Sequence, residues 1–120
     1  MRHVVHIPWY ATLLRADAFE EALAEIAPLA LRYGASDYFV HRSREDGYKF
    51  LQMAGFEDKA DFARYWDGPE FIRWRQVHGS WYQVPVLYAL QQVTVEGALE
   101  YDEAAAATPA GGAPEPPAAA

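Results

Sequence analysis

The sequence predicts an α+β fold of the ferredoxin-like kind, an antiparallel β-α-β-β-α-β sheet with its helices on one face. Three observations predict it. Strand-like segments open, divide and close the chain. Two longer segments between them carry helical stripes, and an Asp-Gly pair separates the second strand from the third.

Residues His3 to Tyr10 read as the first strand, since Val5, Ile7 and Trp9 alternate with Val4, His6 and Pro8. Pro8 has no N–H to give a ladder, so it marks an edge, a bulge or the strand end. Asp17 is expected to open the first helix, with Glu20 three residues on in a variant of the capping box. Phe19, Leu23, Ile26, Ala30 and Tyr33 then form one stripe, Pro28 kinks or restarts the helix, and Gly34 ends it. Asp37 to Glu45 and Tyr48 to Gly55 are expected to be strands joined by a two-residue type I′ turn at Asp46-Gly47. That turn would set Arg44 opposite Lys49 and His41 opposite Gln52, with Phe39, His41, Phe50, Gln52 and Ala54 on one face. A second helical region starts at Asp58 and breaks at Gly68-Pro69, after which Phe71, Trp74, His78 and Trp81 share a stripe. Val84 to Val95 reads as a long last strand, apolar on both faces. Such a strand needs cover on both sides. A second copy of the chain is the simplest cover, which gives a homodimer with two sheets closed into a dimeric α+β barrel.

The chain has 120 residues, a length that suits one domain. The domain is expected over residues 1–97, with 98–120 as an acidic and then Ala/Pro/Gly-rich disordered tail. From Ala104 to Ala120 only Thr108 and Glu115 depart from Ala, Pro and Gly, so this stretch has no large apolar side chain to bury. The net charge of −7 is carried mostly by the domain, which argues against nucleic acid as a partner. There is no Cys, which excludes disulfides, thiolate catalysis and Cys-ligated zinc. The first residues, Met-Arg-His-Val-Val-His-Ile-Pro, contain no long apolar run. No signal peptide or membrane contact is therefore expected, and a cytoplasmic location is the default.

The element order, the segment from Phe62 to Phe71 (Phe-Ala-Arg-Tyr-Trp-Asp-Gly-Pro-Glu-Phe) and the terminal strand resemble the antibiotic biosynthesis monooxygenase group of dimeric α+β barrels, over about residues 3–97. The resemblance implies a homodimer and an oxidoreductase of small molecules. Cofactor-independent monooxygenases and haem-degrading enzymes both occur in that group. The haem-degrading branch uses an Asn on the first strand, a Trp early in the second helix and a His further along. Aligned on Phe71, the Trp position falls at Tyr65, one residue before Trp66. The His position falls at Arg75, three residues before His78. The Asn has no counterpart, His6 being the nearest polar residue. No cofactor is therefore expected, and haem is left open.

No nucleophile motif, phosphate loop or HExxH pattern occurs, and no metal site is expected. His78 is the catalytic candidate because it lies in an aromatic stripe, where it could act as a general base. It reads more readily as a hydrogen-bonded histidine at a helix end, near carbonyls that favour a positive charge. Trp66, Trp74 and Trp81 are candidate walls for a planar ligand, or else core and interface. His6, His41 and Gln52 are further pocket candidates, the last two as a polar pair that orients a ligand or bonds to itself. Two functions follow. One is a monooxygenase-like enzyme for an aromatic or polyketide-type substrate, possibly free of any cofactor. The other is a non-catalytic dimer that binds a small ligand or a protein.

Overall fold

The computed structural model describes residues 2–99. The strands are β1 (His3–Tyr10), β2 (Ala35–Arg42), β3 (Lys49–Phe56) and β4 (Ala89–Gln92), and the helices are α1 (Ala16–Ile26), α2 (Lys59–Trp66) and α3 (Pro69–Val77). The sheet order is β2-β3-β1-β4 with every neighbour antiparallel, which is the ferredoxin-like arrangement expected. Val5, Ile7 and Trp9 of β1 and Phe50, Gln52, Ala54 and Phe56 of β3 are buried beneath the helices. Val4, His6, Pro8, Leu51 and Met53, one residue out of phase, lie on the opposite face, which no helix covers.

Local signals place the helical layer. α1 stops at Ile26, and a 3₁₀ turn over Ala27–Tyr33 begins with Pro28 in its first two positions. Gly34 then caps that turn at φ 103°, a left-handed conformation that suits glycine. Asp58 caps α2 by accepting a hydrogen bond from the Ala60 N–H at 2.9 Å. α3 restarts at Pro69 after the break at Gly68. A Cβ on Gly68 would stand 2.6 Å from the Arg64 carbonyl oxygen and 2.9 Å from the Tyr33 hydroxyl, so this corner needs glycine for closeness.

Three sequence expectations are corrected. First, Asp17 does not cap α1. The helix starts at Ala16 with Arg15 at the cap position and no side-chain cap. Asp17 and Glu20 instead hold Arg42 of β2, at 3.0 and 2.6 Å. Second, the hairpin does not turn at Asp46-Gly47 alone. Arg42 pairs with Phe50, His41 with Leu51 and Val40 with Gln52, one residue away from the expected register. Residues 43–48 form a longer connection. There Ser43 Oγ accepts from the Glu45 and Asp46 N–H groups, Asp46 Oδ1 accepts from the Tyr48 N–H, and Arg42 Nε donates to the Gly47 carbonyl. A one-residue slip moves a whole strand to the other face. Phe39 and His41 therefore share the open face with Leu51 and Met53, whereas Gln52 lies inside. Third, the long last strand is only four residues, Ala89–Gln92, and these are exposed. The Gln83 N–H still donates to the Tyr10 carbonyl at 2.8 Å, but residues 84–88 leave the sheet. Pro85, after a cis Val84–Pro85 bond, has no N–H for the ladder, and neither has Pro8 on the strand it would join. The tail over 100–120 lies outside the described residues.

The core is aromatic and holds one buried polar side chain, Gln52, among the described residues. Trp9 lies at its centre, with its ring 4.9–6.3 Å from those of Phe19, Trp66, Phe71, Trp74 and Tyr82. Trp9 Nε1 donates to Gln52 Oε1 at 3.0 Å, and Gln52 Nε2 donates to the Tyr65 hydroxyl at 3.1 Å. The Tyr65 hydroxyl donates in turn to the Ile26 carbonyl at 2.5 Å. Burial pushes the Tyr65 phenol well above the ordinary tyrosine range, so it stays neutral and able to donate. Trp74 Nε1 ties α3 to α1 through the Ala22 carbonyl at 2.9 Å.

Two outcomes are expected. Gln52→Leu strands the Trp9 indole N–H and leaves the Tyr65 hydroxyl one partner short; urea unfolding should show a loss of about 1–3 kcal/mol. Gly34→Ala forces a left-handed alanine against the Asp61 carboxylate, and the same measurement should show a loss of about 1–2 kcal/mol from the backbone alone.

Candidate functional site

The candidate residues divide among three places. His78, Trp74 and Trp81 come together at the end of α3, as the stripe implies. The imidazole lies 4.9 Å from the Trp74 ring and 4.8 Å from the Trp81 ring. His78 is also the residue that closes α3, its own N–H donating to the Trp74 carbonyl at 3.0 Å. The same carbonyl lies 2.8 Å from Nδ1. A carbonyl can only accept, so Nδ1 carries a proton and the neutral ring has its lone pair on Nε2. Nε2 has no hydrogen-bond partner among the described residues. His78 is half-buried and lines a groove of about 290 Å³ between α1 and α3, with Ile26, Leu29, Trp74 and Val77 as apolar wall and Glu25, Glu70 and Arg73 at the rim. Trp81, past the helix end, is half-buried and lies 5.2 Å beneath the Arg15 guanidinium.

Trp66 is elsewhere, at the β1–β4 side of the helical layer. Tyr65 and Trp66 are adjacent on α2, so only one can point inward; Tyr65 is buried and Trp66 half-exposed. The Trp66 ring touches Phe71 and Tyr88, at 4.9 and 5.2 Å. Arg75 covers its face with the guanidinium carbon 3.9 Å from the ring centre. The sequence reading gave Arg75 no role of its own. Its signal was an arginine four residues after Phe71 inside an aromatic stretch.

His6 and His41 lie on the open sheet face. The His41 ring stacks on Phe39 at 5.3 Å, and beside it is a depression of about 400 Å³ lined also by Pro8, Lys49 and Leu51. Gln52 is on the other side of the sheet, so the expected His41–Gln52 pair does not exist. The slipped register separates them, and Gln52 serves the core network instead.

The position that the resemblance assigns to a haem ligand is Arg75, whose guanidinium is protonated and has no lone pair for iron. The guanidinium lies directly against the Trp66 and Phe71 rings, at 3.9 and 4.9 Å from their centres. These residues do not fit haem at that place. Among the described residues no cluster of three or more His, Cys, Asp or Glu could hold a metal ion, and no helix is long and apolar enough to cross a membrane.

No family model and no curated protein matches this sequence. Solved structures do match in shape. A candidate antibiotic biosynthesis monooxygenase from Nitrosomonas europaea superposes with a TM-score of 0.70 at 17% identity, covering 80% of this chain and 94% of its own. Another from Bordetella bronchiseptica gives 0.69 at 20% identity, over 78% of this chain and 98% of its own. A variant of SnoaB, a cofactor-independent oxygenase from Streptomyces nogalater, gives 0.66 at 17% identity, over 83% and 98%. At such identities the shared property is architecture, and the chain has the ferredoxin-like α+β fold of the antibiotic biosynthesis monooxygenases.

Proposed function

We propose that the protein is a small oxygenase that acts on an aromatic or polyketide-type substrate without a bound cofactor. The carrying observation is His78, whose Nδ1 is tied to the Trp74 carbonyl and whose remaining nitrogen is unpartnered beside an apolar groove. A base so fixed can remove a proton from a phenol or an enolisable carbon. The anion left behind gives its electrons to dioxygen, forming a carbon–oxygen bond, and the peroxide takes up a proton and loses water to leave a ketone or quinone. The protein supplies position and an apolar wall of Ile26, Leu29 and Val77. Trp74, Ile26 and Val77 would line the planar substrate, and the likeness in fold to a cofactor-independent oxygenase supports the assignment.

The working form in this reading is a homodimer. The open sheet face carries Val4, Pro8, Phe39, Leu51 and Met53, and the segment after Tyr82 exposes Val84 and Leu87 at 74 and 71%. This is a large apolar area for a domain of this size, and a second copy laid on it would bury both patches.

A non-catalytic ligand-binding or protein-interaction module is the second reading. It is favoured by the filled centre of the domain, since Trp9, Phe19, Phe71, Trp74 and Tyr82 occupy the space between β1 and the helices.

Oxygen uptake with a panel of hydroquinones and polycyclic phenols should show turnover that His78→Gln lowers about 100-fold or more, with substrate binding retained. Saturable binding without oxygen uptake in the wild type would favour the module. Met53→Arg, which puts a charge on the open face, should convert the dimer to monomer in light scattering while the circular dichroism of the fold is kept. A wild-type monomer at micromolar concentration would refute the dimer.

A further inference from the structure

Three arginines are partly buried, namely Arg2, Arg42 and Arg75. Arg2 meets Asp37 and Glu96, and Arg42 meets Asp17 and Glu20. Arg75 differs. Its guanidinium has no hydrogen bond and no ion pair among the described residues, and its Nη1 is buried with no acceptor at all. It lies over Trp66 and Phe71, at 3.9 and 4.9 Å from the ring centres. Stacking satisfies the flat faces of a guanidinium but not its N–H groups, which point outward in its plane. Burial disfavours the charge here, in the direction that lowers the Arg75 pKa, and the neighbouring Asp67 opposes that from beyond ion-pair distance. A cation kept among aromatics, with its donors free, lacks the partner that the other two arginines have.

We propose that Arg75 is the receptor for an anionic group, a carboxylate or phenolate, on a planar ligand that lies along Trp66 and Tyr88. The chemistry follows from the parts. A guanidinium presents paired N–H donors that match two oxygens of a carboxylate, and with Nη1 buried the pair that would meet them is Nε and Nη2. The half-exposed rings of Trp66 and Tyr88 meet edge to face, 5.2 Å apart and tilted 61°, and give the ligand an aromatic corner next to the charge, with the Tyr88 ring and the Trp66 edge as its contacts. Phe62, 4.9 Å from the Tyr88 ring, closes the inner end of that corner. The Tyr82 hydroxyl is already engaged, donating to the Arg75 backbone carbonyl at 3.3 Å, and the guanidinium is the cationic donor beside the corner. The site is separate from the groove of His78. The inference rests on the small-molecule reading above and not on catalysis by His78.

The test titrates 1-naphthoate and its neutral isostere 1-naphthamide into the isotope-labelled full chain, following the Trp66 indole N–H signal by NMR. Naphthoate should bind saturably and at least about tenfold more tightly than naphthamide, a preference worth 1.4 kcal/mol. It should weaken with salt. Arg75→Met should remove the preference, and Arg75→Lys, which keeps the charge but not the paired donors, should restore part of it. Equal affinities for the two compounds in the wild type, no saturable naphthoate binding, or an undiminished preference in Arg75→Met would overturn the proposal. The wild-type comparison decides the matter even where a variant fails to fold. Naphthoate binding without oxygen uptake on any substrate would leave this inference standing and remove the oxygenase. Uptake that depends on His78, with no preference for the anion, would do the reverse.

Discussion

The hydrogen-bonded chain from Trp9 through Gln52 and Tyr65 to the Ile26 carbonyl is the constraint on which the other contacts depend. It crosses the whole domain, from β1 and β3 into α2 and the end of α1. A buried glutamine amide needs partners for its oxygen and its nitrogen, and this arrangement provides one for each. It therefore fixes which face of β3 is inside. With Gln52 inward, Phe50, Ala54 and Phe56 must also be inward, and Leu51 and Met53 must face out. Sliding β3 by one residue would put an amide on the open face and strand an indole N–H in the aromatic core.

That choice then decides where ligands can go. The inward faces of β1 and β3 carry Trp9 and Phe50, and the helices answer with Phe19, Tyr65, Phe71 and Trp74. Together these fill the centre of the layer, and the space left between sheet and helices among the described residues is a cleft of about 270 Å³ at the β2 edge, lined by Leu23, Ala27, Tyr38, Val40 and Phe50. Function is pushed to the margins of the same aromatic mass. One margin is the α1–α3 groove beside His78. The other is the β1–β4 side, where Trp66 and Arg75 stand under the segment that leaves the sheet after Gln83. Both margins are held by α3, a helix of nine residues anchored by the buried Phe71 and Trp74.

What the sequence made legible was what short-range chemistry decides. Pro28, Gly34, Asp58 and the Gly68-Pro69 break act through backbone sterics or a bond two residues away, and each does what its residue type implies. The apolar alternation of β1 and the Phe71–Trp74–His78–Trp81 stripe were legible for the same reason. What failed was decided at long range. Asp17 and Glu20 had good capping spacing, but Arg42, more than twenty residues on, attracts both carboxylates. Asp46-Gly47 had the composition of a tight turn, yet the Gln52 network and the Arg42 contacts favour a pairing one residue away, and Ser43 has the local bonds to close the longer connection. His41 and Gln52 were consequently assigned to one face and lie on two. The last strand failed because apolar character does not distinguish a strand within a sheet from an extended segment beside it. Arg75 went unread because an unpartnered donor becomes visible only when every possible partner has a position.

The two readings of His78, helix end and catalytic base, share more than they dispute. A histidine that closes a helix by giving its Nδ1 proton to a carbonyl of the last turn loses its choice of tautomer. The bond that serves the fold thus places the lone pair on Nε2, which is what a base requires. An exposed imidazole would exchange tautomers and rotate, and a fully buried one would be closed to substrate. Half-buried between Trp74 and Trp81, this ring can do neither. The readings part only at Nε2. In a purely structural histidine that nitrogen would be held by a second protein group. Here it has no protein partner and belongs to a side chain that lines an apolar groove, so the helix end has prepared the group that the chemistry would use.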